Sequence, residues 1–347
     1  MNIEVESMNR QPRFKDKIVV ITGATGGVGR ATARAFAREG ARIALLARGQ
    51  EQLTATRDEI ERLGGHAISI PTDVADSAQV EAAAEWTEQE LGPIDIWVNN
   101  AMTSVFAPIK EITPEEFHRV TEVTYLGQVY GTMAALRRML PRNRGSIILV
   151  GSALAYRGIP LQSAYCGAKH GIEGFYDSLR CELLHDHSAV RTCMVQLPAM
   201  NTTQFGWSLS KLPRKPKPMG KIYQPEVAAE AILFAAIHNR RSIWVGASTY
   251  KAIIGNKLSP AFADHELART AYDGQQTPEP ISPDRQNNLW QPVAEDRGVH
   301  GDFTSRSANH SITLWAARHR SLIAAVAGVA AITGVAALSA LLPHRKR

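Results

Sequence analysis

Tyr165 and Lys169 stand four residues apart in Tyr165-Cys166-Gly167-Ala168-Lys169, with Ser152 a short way upstream. Residues i and i+4 of a helix share a face. A phenol is a weak acid, with a pKa of about 10, and a neighbouring cation lowers that value by favouring phenolate. Such a pair can give a proton to a carbonyl oxygen or take one from an alcohol. A serine hydroxyl beside it can hold the reacting oxygen. The carbon then needs a hydride, which no side chain supplies and a cofactor must. Taken singly, a tyrosine, a lysine and a strand-end serine are ordinary structural residues. Their chemistry depends on a cofactor site in the same chain.

That site is legible near the N-terminus. The apolar run Ile18–Ile21 leads into Thr22-Gly23-Ala24-Thr25-Gly26-Gly27-Val28-Gly29, and a helical pattern follows. This is the strand–turn–helix context of a dinucleotide loop. Gly23 suits a tight turn, while Gly27 and Gly29 leave room for a pyrophosphate and for helix packing. The helix N-terminus offers unpaired N–H groups to the anion. The second apolar run, Arg42–Ala47, ends at Arg48 with no carboxylate. An acid there would repel a 2′-phosphate, and Arg48 would attract one, so NADP (NADPH) is favoured over NAD.

These motifs, in this order, resemble the short-chain dehydrogenase/reductase family from about Lys17 to Gly246. The resemblance implies cofactor contacts from Gly23, Thr25, Gly26, Gly27, Val28 and Gly29, from Asp73 and Val74 after the third strand, and from Asn99-Asn100-Ala101. Pro198, Tyr165 and Lys169 complete that set. It also implies catalysis by Ser152, Tyr165 and Lys169 on a carbonyl/alcohol pair. The chain departs from the family pattern at three places. Met102 replaces a glycine beside the nicotinamide, Ala199 replaces the glycine after Pro198, and Thr124 falls where an asparagine often holds a water linked to the lysine. Thr124 is therefore included among the catalytic candidates. Met102, Phe205 and Trp207 are the substrate candidates. The apolar content after Pro198 points to a lipophilic substrate. The resemblance further implies a homo-oligomer built on helices Pro114–Leu140 and Ser163–Leu184. A non-catalytic NADP-binding scaffold or sensor is the alternative reading, motivated by Met102 and Thr124.

The elements that must position these residues alternate regularly. Apolar runs Ile18–Ile21, Arg42–Ala47, Ala67–Pro71, Ile94–Val98, Ser146–Val150, Val190–Leu197 and Ser242–Val245 read as buried strands. Helical patterns lie between them, which predicts an α/β, Rossmann-type doubly wound parallel sheet of about seven strands. The expected organisation is a disordered leader (1–16), a catalytic domain (17–255), an irregular polar extension (256–313), and a terminal helix with a basic tail (314–347).

Composition bounds the rest. With 44% hydrophobic and 21% charged residues and a net charge of +6, the chain is that of a folded globular protein. Its three cysteines, none in a C-x-x-C pair, exclude a disulfide scaffold and a zinc ribbon. No metal site is expected: His185-Asp186-His187 reads as a solvated turn. The basic loop Lys211–Lys221 lacks the interleaved aromatics of a nucleic-acid site. The average suggests solubility, yet Leu322–Leu342 contains no charge and is flanked by basic residues. Its bulky residues recur every third position and so spiral around the helix instead of forming a stripe. A membrane span is the expectation, with the catalytic domain on the cytoplasmic side; a helix buried in an oligomer is the other reading.

Overall fold

The structure, a computed structural model, describes residues 12–282, 284–321 and 323–325. Seven strands form one sheet in the order Ser242–Trp244, Arg191–Leu197, Ser146–Ser152, Ile96–Asn99, Ile18–Thr22, Arg42–Ala47, His66–Pro71. Every neighbouring pair is parallel. The expected doubly wound α/β sheet is present, and its strands fall within a residue or two of the expected bounds.

The strands are almost continuously apolar because both faces are covered. Val19, Ile21, Ile43, Leu45 and Val98 point into one core with Phe36. Their alternates Val20, Leu46, Trp97, Ile147 and Leu149 point into the other, as the period of two requires. The strand order reverses between Ile18–Thr22 and Ile96–Asn99, and an open α/β sheet forms its crevice at the carboxyl ends there.

The long pattern Pro114–Leu140 is subdivided. Thr113 and Glu116 close a capping box at its start, and Pro114 occupies the first turn. The α-helix Pro114–Thr121 then widens into a π-helical turn, Glu122–Leu126, before Gly127–Met139 continues as α-helix. Thr124 lies within that turn.

Both ends of the expected domain are more ordered than sequence polarity suggested. Phe14, inside the segment read as leader, is buried and meets Phe36 edge-on with centroids 4.8 Å apart. In the polar extension, Pro260–Gly274 is helical. Gln276–Pro280 pairs antiparallel with Arg214–Pro216, and Ser307–Ala308 joins Ile222–Tyr223. Leu289, Val293 and Val299 are buried. The extension shows no local period because its partners are distant in sequence. Apart from Ile323–Ala325, the expected apolar span Leu322–Leu342 lies outside the described residues. Among the described residues, no helix is long and apolar enough to cross a membrane.

Two glycines separate close packing from helix propensity. A Cβ on Gly131 would come within 2.2 Å of Asn99 Oδ1 and 2.7 Å of Trp97 Nε1, whereas one on Gly174 would meet nothing within 4 Å. Gly131→Ala is expected to destabilise the fold by about 1–3 kcal/mol through overpacking. Gly174→Ala, inside Ser163–His185, is expected to stabilise by up to about 1 kcal/mol. Urea denaturation midpoints of the two variants check this pair.

Candidate active site

The glycine turn forms because two residues accept geometries that side chains resist. Gly23 has φ +64°. A Cβ on Gly29 would lie 2.1 Å from the Gly23 carbonyl oxygen, so the helix can begin only with glycine there. The turn is fastened to the neighbouring strand end. Thr22 Oγ1 accepts from the backbone N–H groups of Asn100 and Ala101 at 2.9 and 3.0 Å. The Asn100 amide donates back to the carbonyls of Thr22 and Gly23.

A cavity of about 390 Å³ opens over this junction. Gly23, Thr25, Gly26, Gly27 and Val28 form its floor at one end, and Arg48, Asp73 and Val74 stand beside them. Asn100, Ala101, Met102 and Pro198 line the middle. Ser152, Tyr165 and Lys169 stand on its wall with Phe205 and Trp207. Three expected site residues are placed elsewhere. The Asn99 side chain is fully buried, accepting from Trp97 Nε1 at 2.9 Å and donating to Thr132 Oγ1 at 3.0 Å. Gly29 serves the turn's packing. Thr124 donates to the Thr103 carbonyl at 2.8 Å and accepts from the Thr103 N–H at 3.0 Å. Its hydroxyl thus fastens the loop beside the site, and its donor is spent there instead of on a water near the lysine.

The chemical centre is assembled from two elements. Ser152 ends the Ser146–Ser152 strand, and its Oγ accepts from the Leu154 N–H at 3.1 Å, leaving the O–H to donate outward. Tyr165 and Lys169 lie in the first turns of helix Ser163–His185. The Ser152 hydroxyl is the polar group that acts on the Tyr165 phenol. Lys169 Nζ lies 5.6 Å from the tyrosine ring centroid and donates to the Val150 carbonyl at 2.7 Å. The Gln128 amide donates to the same oxygen at 3.1 Å.

Burial dominates the electrostatics. It raises the Tyr165 phenol above its usual value, against a smaller lowering by the Ser152 hydrogen bond. It pushes the Lys169 amine down to about 7. A neighbouring cation lowers a phenol's pKa, but for this pair desolvation is the larger effect. Tyr165 is therefore held neutral, with Lys169 able to gain or lose charge near neutrality.

The residues fit a nicotinamide dinucleotide. A Cβ on Gly26 would come within 2.8 Å of the Trp207 ring, so only glycine keeps the groove open there. Thr203 Oγ1, against that glycine, is buried without a partner among the described residues. Burial lowers the Arg48 pKa from its usual value, and no carboxylate is bonded to Arg48. Asp73 is instead paired with Arg119.

One part of the cavity comes from the polar extension, which carries little periodicity in the sequence. Residues 284–301 fold back over the glycine turn, and Asn288, Pro292, Val293, Asp296 and Arg297 form a wall of the same cavity. Arg48 donates to the carbonyls of Asn288, Leu289 and Trp290. Gln52 donates to those of Val293 and Ala294. Arg30 pairs with Asp296, and the Gly27 N–H donates to the Gly298 carbonyl at 3.3 Å. Backbone carbonyls carry most of these bonds, and carbonyls are the same for every residue type. The pair Leu289-Trp290 reads in the sequence as able to dock on the domain or lie at a membrane interface, and Leu289 is buried here.

Residues 17–211 match the family model described as short chain dehydrogenase. An uncharacterized oxidoreductase of Bacillus subtilis (strain 168), YxnA, is 33% identical over 311 residues, covering 88% of this chain and 87% of that protein. A match of that span runs well into the C-terminal extension. The 3-dehydrosphinganine reductase of Danio rerio is 29% identical over 240 residues, covering 67% of this chain and 72% of that one. Among solved structures, an alcohol dehydrogenase from the archaeon Thermococcus sibiricus, complexed with 5-hydroxy-NADP, superposes with a TM-score of 0.58 at 27% identity. It covers 66% of this chain and 95% of its own.

The depressed Lys169 pKa has a consequence for stability. Between about 7, the folded value, and the ordinary 10.5, the unfolded chain binds more protons than the folded one. The unfolding free energy therefore rises with pH across that window, by at most about 1.4 kcal/mol per pH unit from this group. In Lys169→Met this contribution disappears. Urea titrations of both proteins between pH 7 and 10 are expected to give a smaller upward slope for the variant.

Proposed function

The chain belongs to the short-chain dehydrogenase/reductase family, and we propose that it is an NADP(H)-preferring member acting on a lipophilic carbonyl/alcohol pair with Tyr165 as general acid and base. The observation that carries this reading is the meeting of Ser152, Tyr165 and Lys169 in one cavity with the glycine turn. Family membership and this assembly favour an enzyme over a scaffold.

A nicotinamide dinucleotide bound along the groove supplies the hydride in reduction and accepts it in oxidation. Gly26, Gly27 and Val28 would hold its pyrophosphate, with Arg48 at the ribose end. Ser152 directs its O–H to the substrate oxygen. Tyr165, a phenol neutral at physiological pH and held more firmly so by burial, gives that oxygen a proton in reduction. The phenolate left behind is stabilised by protonated Lys169. In oxidation Tyr165 takes the proton back, so raising the pH favours that direction.

The lipophilic substrate is supported by the cavity's apolar wall. Met102, Leu154, Ile159, Phe205, Trp207 and Met219 line it, and Phe205 packs against Phe106 and Phe303. The Danio rerio relative is named for 3-dehydrosphinganine. The NADP preference is supported by Arg48 and by the 5-hydroxy-NADP bound to the archaeal neighbour. The uncharged stretch Leu322–Leu342 supports attachment to a membrane, with the catalytic domain on the cytoplasmic side. Exposed Phe117 and Met133 on the helices around the π turn support self-association.

NADPH oxidation with a panel of ketones tests the reading. Long-chain ketones are expected to give higher kcat/KM than small polar carbonyls. Tyr165→Phe is expected to lower kcat by about 10²–10⁴-fold while retaining nucleotide binding. Turnover of small polar carbonyls alone would remove the lipophilic assignment, and an unimpaired Tyr165→Phe would remove the acid/base assignment.

A further inference from the structure

The segment 284–301 is held by side chains from the part of the domain that receives the adenosine end of a dinucleotide. Gln52 and Arg30 anchor it through Val293, Ala294 and Asp296. Arg119 donates to the Leu289 carbonyl at 3.2 Å. The segment is also tied to the apolar wall. The Asn288 N–H donates to the Trp207 carbonyl at 2.8 Å, and the Asn288 side chain faces the Trp207 indole N–H at 3.2 Å. Arg285 donates to the carbonyls of Phe205 and Gly206.

Its effect on Arg48 is geometric. A guanidinium has five N–H donors in a fixed fork. The segment's carbonyls accept two bonds from Nη1 and one from Nη2, and none from Nε. Nε makes no bond to the segment, so the Nε–Nη2 edge of the fork, one of its two-donor edges, keeps donor capacity for an oxyanion. Neutral carbonyls orient the cation without cancelling its charge, and partial burial strengthens its field. A phosphate meeting this arginine has no side-chain freedom left to freeze.

We propose that the strap 284–301 is a specificity element of the dinucleotide site: by fixing the outer edge of the Arg48 fork it presents the inner edge to the 2′-phosphate, and so sets the preference for NADP(H) over NAD(H). This rests on the dinucleotide reading above and goes beyond it, because the selectivity is assigned to a segment outside the glycine turn and its helix.

The test uses the full chain and titrates protein fluorescence with NADPH and with NADH. In the double variant Gln52→Leu/Asp296→Asn, whose changes release the strap without touching Arg48, the NADPH Kd is expected to rise about tenfold while the NADH Kd moves by less than about threefold. Arg48→Lys, which keeps the charge and the other anchors but loses the fork, is expected to lose selectivity to the same degree. Trypsin, cutting at Arg285 and Arg297, should digest the double variant faster than the wild type, and NADPH should protect the wild type better than NADH does. Equal weakening of both nucleotides, making the strap a plain wall, overturns the proposal. Tighter NADPH binding in the double variant, making the strap a competitor for the phosphate, also overturns it. Failure of the wild type to bind either nucleotide would instead remove the dinucleotide reading beneath it.

Discussion

The site depends on one close approach of backbone to backbone. The turn after the first strand and the chain leaving the fourth strand meet through Thr22, Gly23, Asn100 and Ala101. Gly29 makes this possible by placing no side chain between its helix and the Gly23 carbonyl. A methyl group there would separate the groove floor from the strand end that carries Ala101 and Met102. Everything that follows, from the position of Met102 to the shape of the cavity beside Tyr165, is built on that contact.

Beside this rigid junction stands a desolvated pair of titratable side chains. Lys169 is almost fully buried, with a backbone carbonyl as its hydrogen-bond partner, and Ser152 is the polar group acting on Tyr165. Both are kept in or near their uncharged forms by the same cause, burial, rather than by attraction to each other. The fold tolerates this because strand, turn and helix are tightly packed around the pair, so the destabilisation of a buried amine is offset by the core beneath it.

Much of this was legible in the chain because it is written in local patterns. Continuous apolar runs gave the strands and their order of appearance, and Tyr165 with Lys169 follows from helical spacing alone. The family motif puts Asn99 with the cofactor and Thr124 with the chemistry, whereas their side chains make internal hydrogen bonds; Gly29, expected to leave room for helix packing, does so. A motif records which residue types recur at a site but does not say which of them face the cavity. The π turn that carries Thr124 had no periodic signature distinct from a helix. The strap was the least readable part, since its contacts run from side chains near the N-terminus to carbonyls near the C-terminus.

Those contacts also bear on the order in which the protein can be completed. The bonds from Arg48 and Gln52 span 240 to 242 residues, and the one from Arg30 spans 266. Contacts of such separation form late, after the entropy of closing a very large loop has been met. During synthesis the sheet can assemble as its strands emerge, but the groove lacks a wall until residue 298 has left the ribosome. A nascent chain therefore carries a finished Tyr165–Lys169 pair and an open nucleotide groove at the same time. Closure of that groove by its own C-terminal segment comes after the pair is in place.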